Sequence, residues 1–77
     1  MIESGQWVCF SSLPTWVERL PIESQDVFRF CLGKRFRVDE ITDDGLLALD
    51  VSEWVDPVFG GRFNDIRVEP EHVTVVP

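Results

Sequence analysis

The sequence predicts a small, mainly β domain of five short antiparallel strands, with a short helix in the long connection after the first strand. Two observations carry this prediction: short segments alternate apolar with polar residues, and clusters of turn-forming residues separate them. The chain has 77 residues, which fits a single domain spanning 1–77. Three Trp and six Phe within 44% apolar residues predict a folded chain rather than a disordered one.

The long first connection combines a turn of helix with a short helix. Pro14 and Pro21 bound the segment TWVERL and limit it to one or two helical turns. In the segment IESQDVFRFCLG, four apolar residues have the spacing of one helical face: Val27, Phe28, Cys31 and Leu32. Gly33 follows at the position where helices commonly end in a left-handed residue. The apolar residues of this segment also alternate, which leaves a strand as the alternative to the preferred helix.

The strands follow from alternation and turn chemistry. The first lies at residues 6–10, and RFRV and LLALDV form a hairpin around TDDG, where Gly45 supplies a residue at positive φ. Ile66 and Val68 alternate with polar residues, Pro70 marks a one-turn break, and VTVV forms the last strand. The side chains expected to fill the core are Val8, Phe10, Phe36, Val38, Leu47, Leu49, Val51, Ile66, Val68, Val73 and Val75.

The charge of the chain argues against several functions. Fourteen acidic and seven basic residues give a net charge of −7. Such a field repels nucleic-acid phosphates and anionic membrane surfaces, so we expect neither nucleic-acid nor membrane binding. The N-terminus has no basic and apolar leader, and no apolar run reaches the roughly eighteen residues of a membrane span, which favours a cytoplasmic protein.

Cys9, Cys31 and His72 are the residues from which a metal site or a nucleophile would have to be built. The two cysteines form no C-x-x-C pair, and a single histidine completes no zinc pattern. Apolar neighbours predict reduced, buried thiols, and neither a metal nor a cofactor is expected. No enzyme signature is present, so we expect a protein that is not an enzyme.

The order of elements resembles that of the SH3-like barrel. Five short strands, a long first connection, a central hairpin and the ending RVEPEHVTVV, with its one-turn break, carry this resemblance over residues 6–76. It implies a five-stranded barrel like that of small bacterial SH3-like domains without a defined function. Signalling SH3 domains bind PxxP peptides in a groove lined by Tyr and Trp. This chain has no Tyr, Leu46 stands where the middle strand begins, and His72 stands where the 3₁₀ tyrosine would be, so that groove is not expected.

Two alternative functions come from other residues. Lys34, Arg35 and Arg37 form a basic cluster that would serve a nucleic-acid-binding domain of the KOW type, against the charge of the whole chain. Cys9 or Cys31 together with His72 would serve a small enzyme or enzyme subunit, provided that the thiol pKa were lowered.

The segment EWVDPVFGGRF, expected as a loop between the third and fourth strands, carries the preferred hypothesis. Its aromatic residues exceed what one small core requires. They either fold over an open end of the barrel or remain exposed as a partner surface. The residues expected on that surface are Trp16, Trp54, Phe59 and Arg62. We therefore expect a non-catalytic protein-interaction or accessory module that binds a protein partner or a second copy.

Overall fold

The computed structural model describes residues 2–60 and 65–76. One antiparallel sheet has the order β4-β3-β2-β1-β5. Its strands are β1 (Trp7–Phe10), β2 (Arg35–Ile41), β3 (Leu47–Asp50), β4 (Asp65–Val68) and β5 (Val73–Val75). The helices are α1 (Ile22–Cys31) and α2 (Ser52–Phe59), with 3₁₀ helices at Thr15–Arg19 and Pro70–His72. The mainly β class and all five strands are confirmed, but β4 and β5 lie at opposite edges, so the sheet is open as described.

Helix α1 follows the predicted helical face more closely than the alternative strand. Its buried side chains are Gln25, Val27, Phe28 and Cys31. Gly33 has φ +85°, the left-handed geometry expected just beyond the helix. Leu32 was expected on the buried face, and this was wrong: it lies past the end of the helix and is 42% exposed. The change of backbone direction at the helix end turns its side chain outward.

The second helix, α2, corrects the expectation of a loop at this position. Val51, Val55 and Phe59 recur every fourth residue, which places them on one helical face toward the core. The Asp50 carboxylate accepts hydrogen bonds from Ser52 N at 3.2 Å and Ser52 Oγ at 2.7 Å, so it satisfies a free N–H of the first turn. Gly60, at φ +82°, ends the helix. Burial of this face offsets the cost of Pro57 inside the helix.

The core lies between the inner face of the sheet and the two helices. Val17, Val27, Phe28, Cys31 and Val55 from the helical segments pack with the inward residues of β1 to β4. The predicted core is confirmed except on β5, where Val73 is only partly buried and Val75 is 40% exposed. An edge strand has a neighbour on one side only, which explains the exposure. Within the described ranges, neither helix is long and apolar enough to cross a membrane.

Candidate functional site

The outer face of β1 and β2 carries Trp7, Arg35 and Arg37. Successive residues of a strand point to opposite faces, and Val8 and Phe36 are buried on the inner face. Trp7 is paired directly with Arg37 across the two strands. Residues that face each other in this way project from the same side of the sheet. The indole and the guanidinium groups are therefore neighbours on the face away from the core.

Helix α2 brings a second tryptophan to the same region. Because Val55 is fully buried, the adjacent Trp54 is turned away from the core and is 46% exposed. Lys34 directly precedes β2 and places its Nζ 5.8 Å from the centre of the Trp54 ring and 4.2 Å from that of Phe30. The same ammonium donates to the carbonyl oxygen of Phe30 at 2.6 Å. These contacts hold α2 beside the beginning of β2.

Trp7 and Trp54 line one open cleft of about 230 Å³, which we name the Trp7–Trp54 cleft. Its lining residues are Trp7, Arg35, Phe36, Arg37, Asp50, Glu53 and Trp54. Both indoles keep about half of their surface in water, since Trp7 is 50% exposed and Trp54 is 46% exposed. Two large apolar surfaces left in water at one cleft are typical of a binding surface.

Charges of both signs surround the indoles. Arg37 lies 3.9 Å from the Asp39 carboxylate, and both side chains are more than half exposed, so this ion pair adds little stability. The Asp50 carboxylate already accepts two hydrogen bonds from Ser52 at the start of α2. Within residues 2–60 and 65–76, the side chains of Arg35 and Glu53 make no hydrogen bond or ion pair. One cation and one anion at the cleft are therefore available to a ligand.

The structure separates the aromatic residues that were expected to form one patch. Phe59 packs edge-on against Phe30, with ring centres 5.6 Å apart. Trp16 packs edge-on against Phe28 at 5.4 Å. Both Trp16 and Phe59 are partly buried against the core, as the internal alternative anticipated, whereas Trp54 remains exposed. Arg62, the remaining expected site residue, lies outside the described residues.

Trp7 is the functional candidate that sequence reasoning missed. The alternation of residues 6–10 already placed it on the face opposite Val8 and Phe10, together with Arg35 and Arg37 once β1 and β2 pair. The sequence pattern therefore already indicated an exposed tryptophan opposite an arginine. The sequence could not predict that Trp7 and Trp54 share a cleft, because their proximity depends on the helical structure of α2.

The alternative built on cysteine and histidine gains no support from the geometry. Cys31 is fully buried, and burial raises the pKa of its thiol to about 11, although Lys34 acts in the opposite direction. A nucleophilic cysteine needs a lowered pKa. His72 Nδ1 instead hydrogen-bonds with Ser12 Oγ at 3.0 Å. Among the described residues, no three His, Cys, Asp or Glu side chains are grouped to hold a metal ion.

His72 serves as a link between the first connection and the 3₁₀ helix at Pro70–His72. Its carbonyl oxygen accepts from the backbone N–H groups of Ser11 and Ser12 at 2.9 and 3.2 Å. Both of these N–H groups therefore already donate hydrogen bonds and are not free to stabilise an oxyanion.

A scan of protein-family models and searches of curated proteins and of solved structures found no match for this chain.

Proposed function

We propose that this protein is a non-catalytic interaction module that binds a segment of a partner protein in the Trp7–Trp54 cleft. The observation that carries the proposal is that two half-exposed indoles, one from β1 and one from α2, line the same cleft. Trp and Arg are the residue types that most often dominate the binding energy of protein interfaces. Both types line this cleft, with Trp7 on β1, Trp54 on α2, and Arg35 and Arg37 on β2.

The size of the cleft favours a side chain of a protein over a separate small molecule. Its volume is about 230 Å³. Sites for small molecules usually enclose about 300–1,000 Å³ and bury most of the ligand. One large apolar side chain of a partner would contact both indoles, and the rest of the partner would extend over the neighbouring surface.

The charges at the cleft favour a protein over a nucleic acid. The lining contains two cations, Arg35 and Arg37, and two anions, Asp50 and Glu53, so its charges cancel. Nucleic-acid surfaces need an excess of positive charge to neutralise phosphates. A polypeptide offers groups of both signs, and Arg35 and Glu53 would pair with such groups at the rim.

The topology supports the SH3-like assignment, which we include in the proposal. The strand order β4-β3-β2-β1-β5 and the 3₁₀ helix directly before β5 support it. The Trp7–Trp54 cleft would then take the place of an aromatic-lined PxxP groove, with its second tryptophan supplied by the helix between β3 and β4.

The test is a comparison of partner capture by the full chain and two cleft variants. We expect the wild-type chain to retain a defined protein from nuclease-treated host extract, and Trp7→Ala and Trp54→Ala each to lose it. Ile22→Ala is the control, because Ile22 is 68% exposed on α1 and does not line the cleft. Circular dichroism would establish that each variant remains folded.

Two outcomes would overturn this proposal. One is retention of the same protein by both tryptophan variants. The other is retention that disappears when the extract is treated with nuclease, which would favour the basic cluster and a nucleic acid instead. Sedimentation equilibrium adds a third comparison: a dimer that Trp54→Ala dissociates would identify a second copy of the chain as the occupant.

A further inference from the structure

A second cleft lies at the other end of β2 from Arg35. It has a volume of about 400 Å³ and is lined by Ile2, Ile41, Gly45, Leu47 and Pro70. We name it the Ile41 cleft. Its lining is almost wholly apolar, in contrast to the mixed lining of the Trp7–Trp54 cleft. Ile41 is 40% exposed, so the cleft has an apolar wall in contact with water.

A β-bulge in β2 produces this exposed apolar wall. The pairing of β2 with β3 shifts by one residue between Val38 and Glu40. Without the shift, Ile41 would lie three positions beyond the inward-facing Val38 and would point to the outer face. With it, Ile41 is paired directly with Leu47, which belongs to the core. The bulge therefore extends the inner apolar face beyond the end of the closed core.

The rim of the Ile41 cleft is acidic. Glu3, Asp44 and Glu71 each adjoin a lining residue in sequence, and all three are exposed. No Lys or Arg lies within two positions of any lining residue. In the part of the chain that the structure describes, none of these three carboxylates takes part in an ion pair. The acidic and basic residues that directly adjoin the lining in sequence are thus all acidic.

We infer that the Ile41 cleft binds a basic segment of a partner protein, in which an apolar side chain is flanked by Lys or Arg. The apolar side chain would cover Ile41 and Leu47, and the flanking cations would meet the rim carboxylates. Charge complementarity selects this occupant, because an acidic segment or an anionic lipid surface would be repelled at the rim. The inference is independent of the Trp7–Trp54 cleft, since no lining residue is shared.

Fluorescence anisotropy with a labelled peptide of alternating Leu and Lys tests the inference on the full chain. We expect binding at low salt that weakens as the salt concentration rises. A matched peptide with Ser in place of Leu should bind about tenfold more weakly, because it keeps the charge and loses the apolar anchor.

Ile41→Glu and Ile22→Glu form the matched pair of variants. Both add one negative charge at an exposed isoleucine, but only Ile41 lines the cleft. Ile41→Glu should weaken binding by about tenfold or more, whereas Ile22→Glu should leave it within about twofold. Ile41→Ser replaces Ile41→Glu if the charged variant fails to fold. Trp54→Ala should not change binding of this peptide, which separates the result from that on the Trp7–Trp54 cleft.

Three results would overturn the inference. The first is failure of the wild-type chain to bind the Leu–Lys peptide at low salt. Equal binding of both peptides would show that the net charge of the chain, and not an apolar contact, causes the binding. Equal binding by Ile41→Glu and Ile22→Glu would show that the attraction is electrostatic and not located at the cleft.

Discussion

Trp16 Nε1 donates a hydrogen bond that is shared by both carboxylate oxygens of Glu69, at 2.9 and 3.1 Å. The two residues are 53 positions apart in sequence. The contact ties the 3₁₀ helix of the first connection to the residue that precedes the 3₁₀ helix at Pro70–His72. It is therefore a long-range link between a helical segment of the first connection and the residue that follows β4.

This link predicts a pH dependence of stability. The hydrogen bond from Trp16 is the main cause that lowers the pKa of Glu69 below its ordinary value of 4.5. A carboxyl group with a lowered pKa in the folded state stabilises the fold above its unfolded pKa, and that stability is lost as the pH falls through the folded pKa. We expect Glu69→Gln to unfold at lower urea concentration than the wild type at neutral pH, and the difference to shrink as the pH falls below the ordinary pKa of 4.5. A difference that grows on acidification would contradict this assignment.

Gln25 should contribute to stability through a buried polar network. Its Nε2 donates to the carbonyl oxygens of Glu18 at 3.2 Å and Leu20 at 2.8 Å, and its Oε1 accepts from Arg29 at 3.0 Å. Gln25→Leu removes these partners and should cost about 1–3 kcal/mol in the free energy of unfolding, measured in urea. The control is the neighbouring Ser24→Ala, expected to change it by less than about 0.5 kcal/mol.

Two valines on α2 test whether this segment is a helix. Val55 is fully buried, whereas Val58, three positions later, is 59% exposed. Val55→Ala should lower the free energy of unfolding by about 2 kcal/mol, and Val58→Ala should change it by less than about 0.5 kcal/mol. Equal effects of the two substitutions would favour the loop that the sequence first indicated.

Substitutions of Trp54 and Phe59, on the same helix, should have different effects on partner binding and on stability. Phe59 packs against Phe30 and the core, so Phe59→Ala should lower the free energy of unfolding by about 2 kcal/mol. Trp54→Ala should lower it less and abolish retention of a partner protein. Thermal unfolding combined with the capture experiment measures both quantities. Loss of retention only in variants that are also strongly destabilised would remove Trp54 from the binding surface.

The two cysteines should differ in reactivity. Cys31 is fully buried and has a raised thiol pKa, whereas Cys9 is partly exposed on the outer face of β1. Iodoacetamide at mildly alkaline pH should label Cys9 first, and Cys31 should react only when the chain unfolds. Mass spectrometry of the labelled peptides separates the two sites. Rapid labelling of Cys31 in the native protein would support the alternative of an enzyme that uses a cysteine with His72.

Alternation predicts this fold well where one side of a strand is buried. Val8, Phe10, Phe36 and Val38 were assigned correctly to the core, because a strand with one wet face repeats every second residue. The same rule failed at Val75, where the edge position left the side chain uncovered. Local turn chemistry was equally informative at Gly45, which has φ +83°.

Helix α2 could not be recognised from its turn-forming residues. Asp56, Pro57 and Gly60 indicated a loop, while the weaker signal of Val51, Val55 and Phe59 at helical spacing indicated the correct structure. Tertiary packing of that face decided between them. The candidate site was therefore only partly predictable, since Trp54 was identified but its neighbour Trp7 depends on how the helix meets the sheet.

The bulge in β2 also has a consequence for how this protein could change over evolutionary time. Asp39 is the extra residue between Val38 and Glu40. Its deletion, a single mutational event, would place Ile41 two positions beyond Val38, so Ile41 would stay on the inner face opposite Leu47. Residues before the bulge, including Arg35 and Arg37, would keep their orientation. A lineage could thus lose the bulge while the side chains of both binding surfaces kept their faces of the sheet.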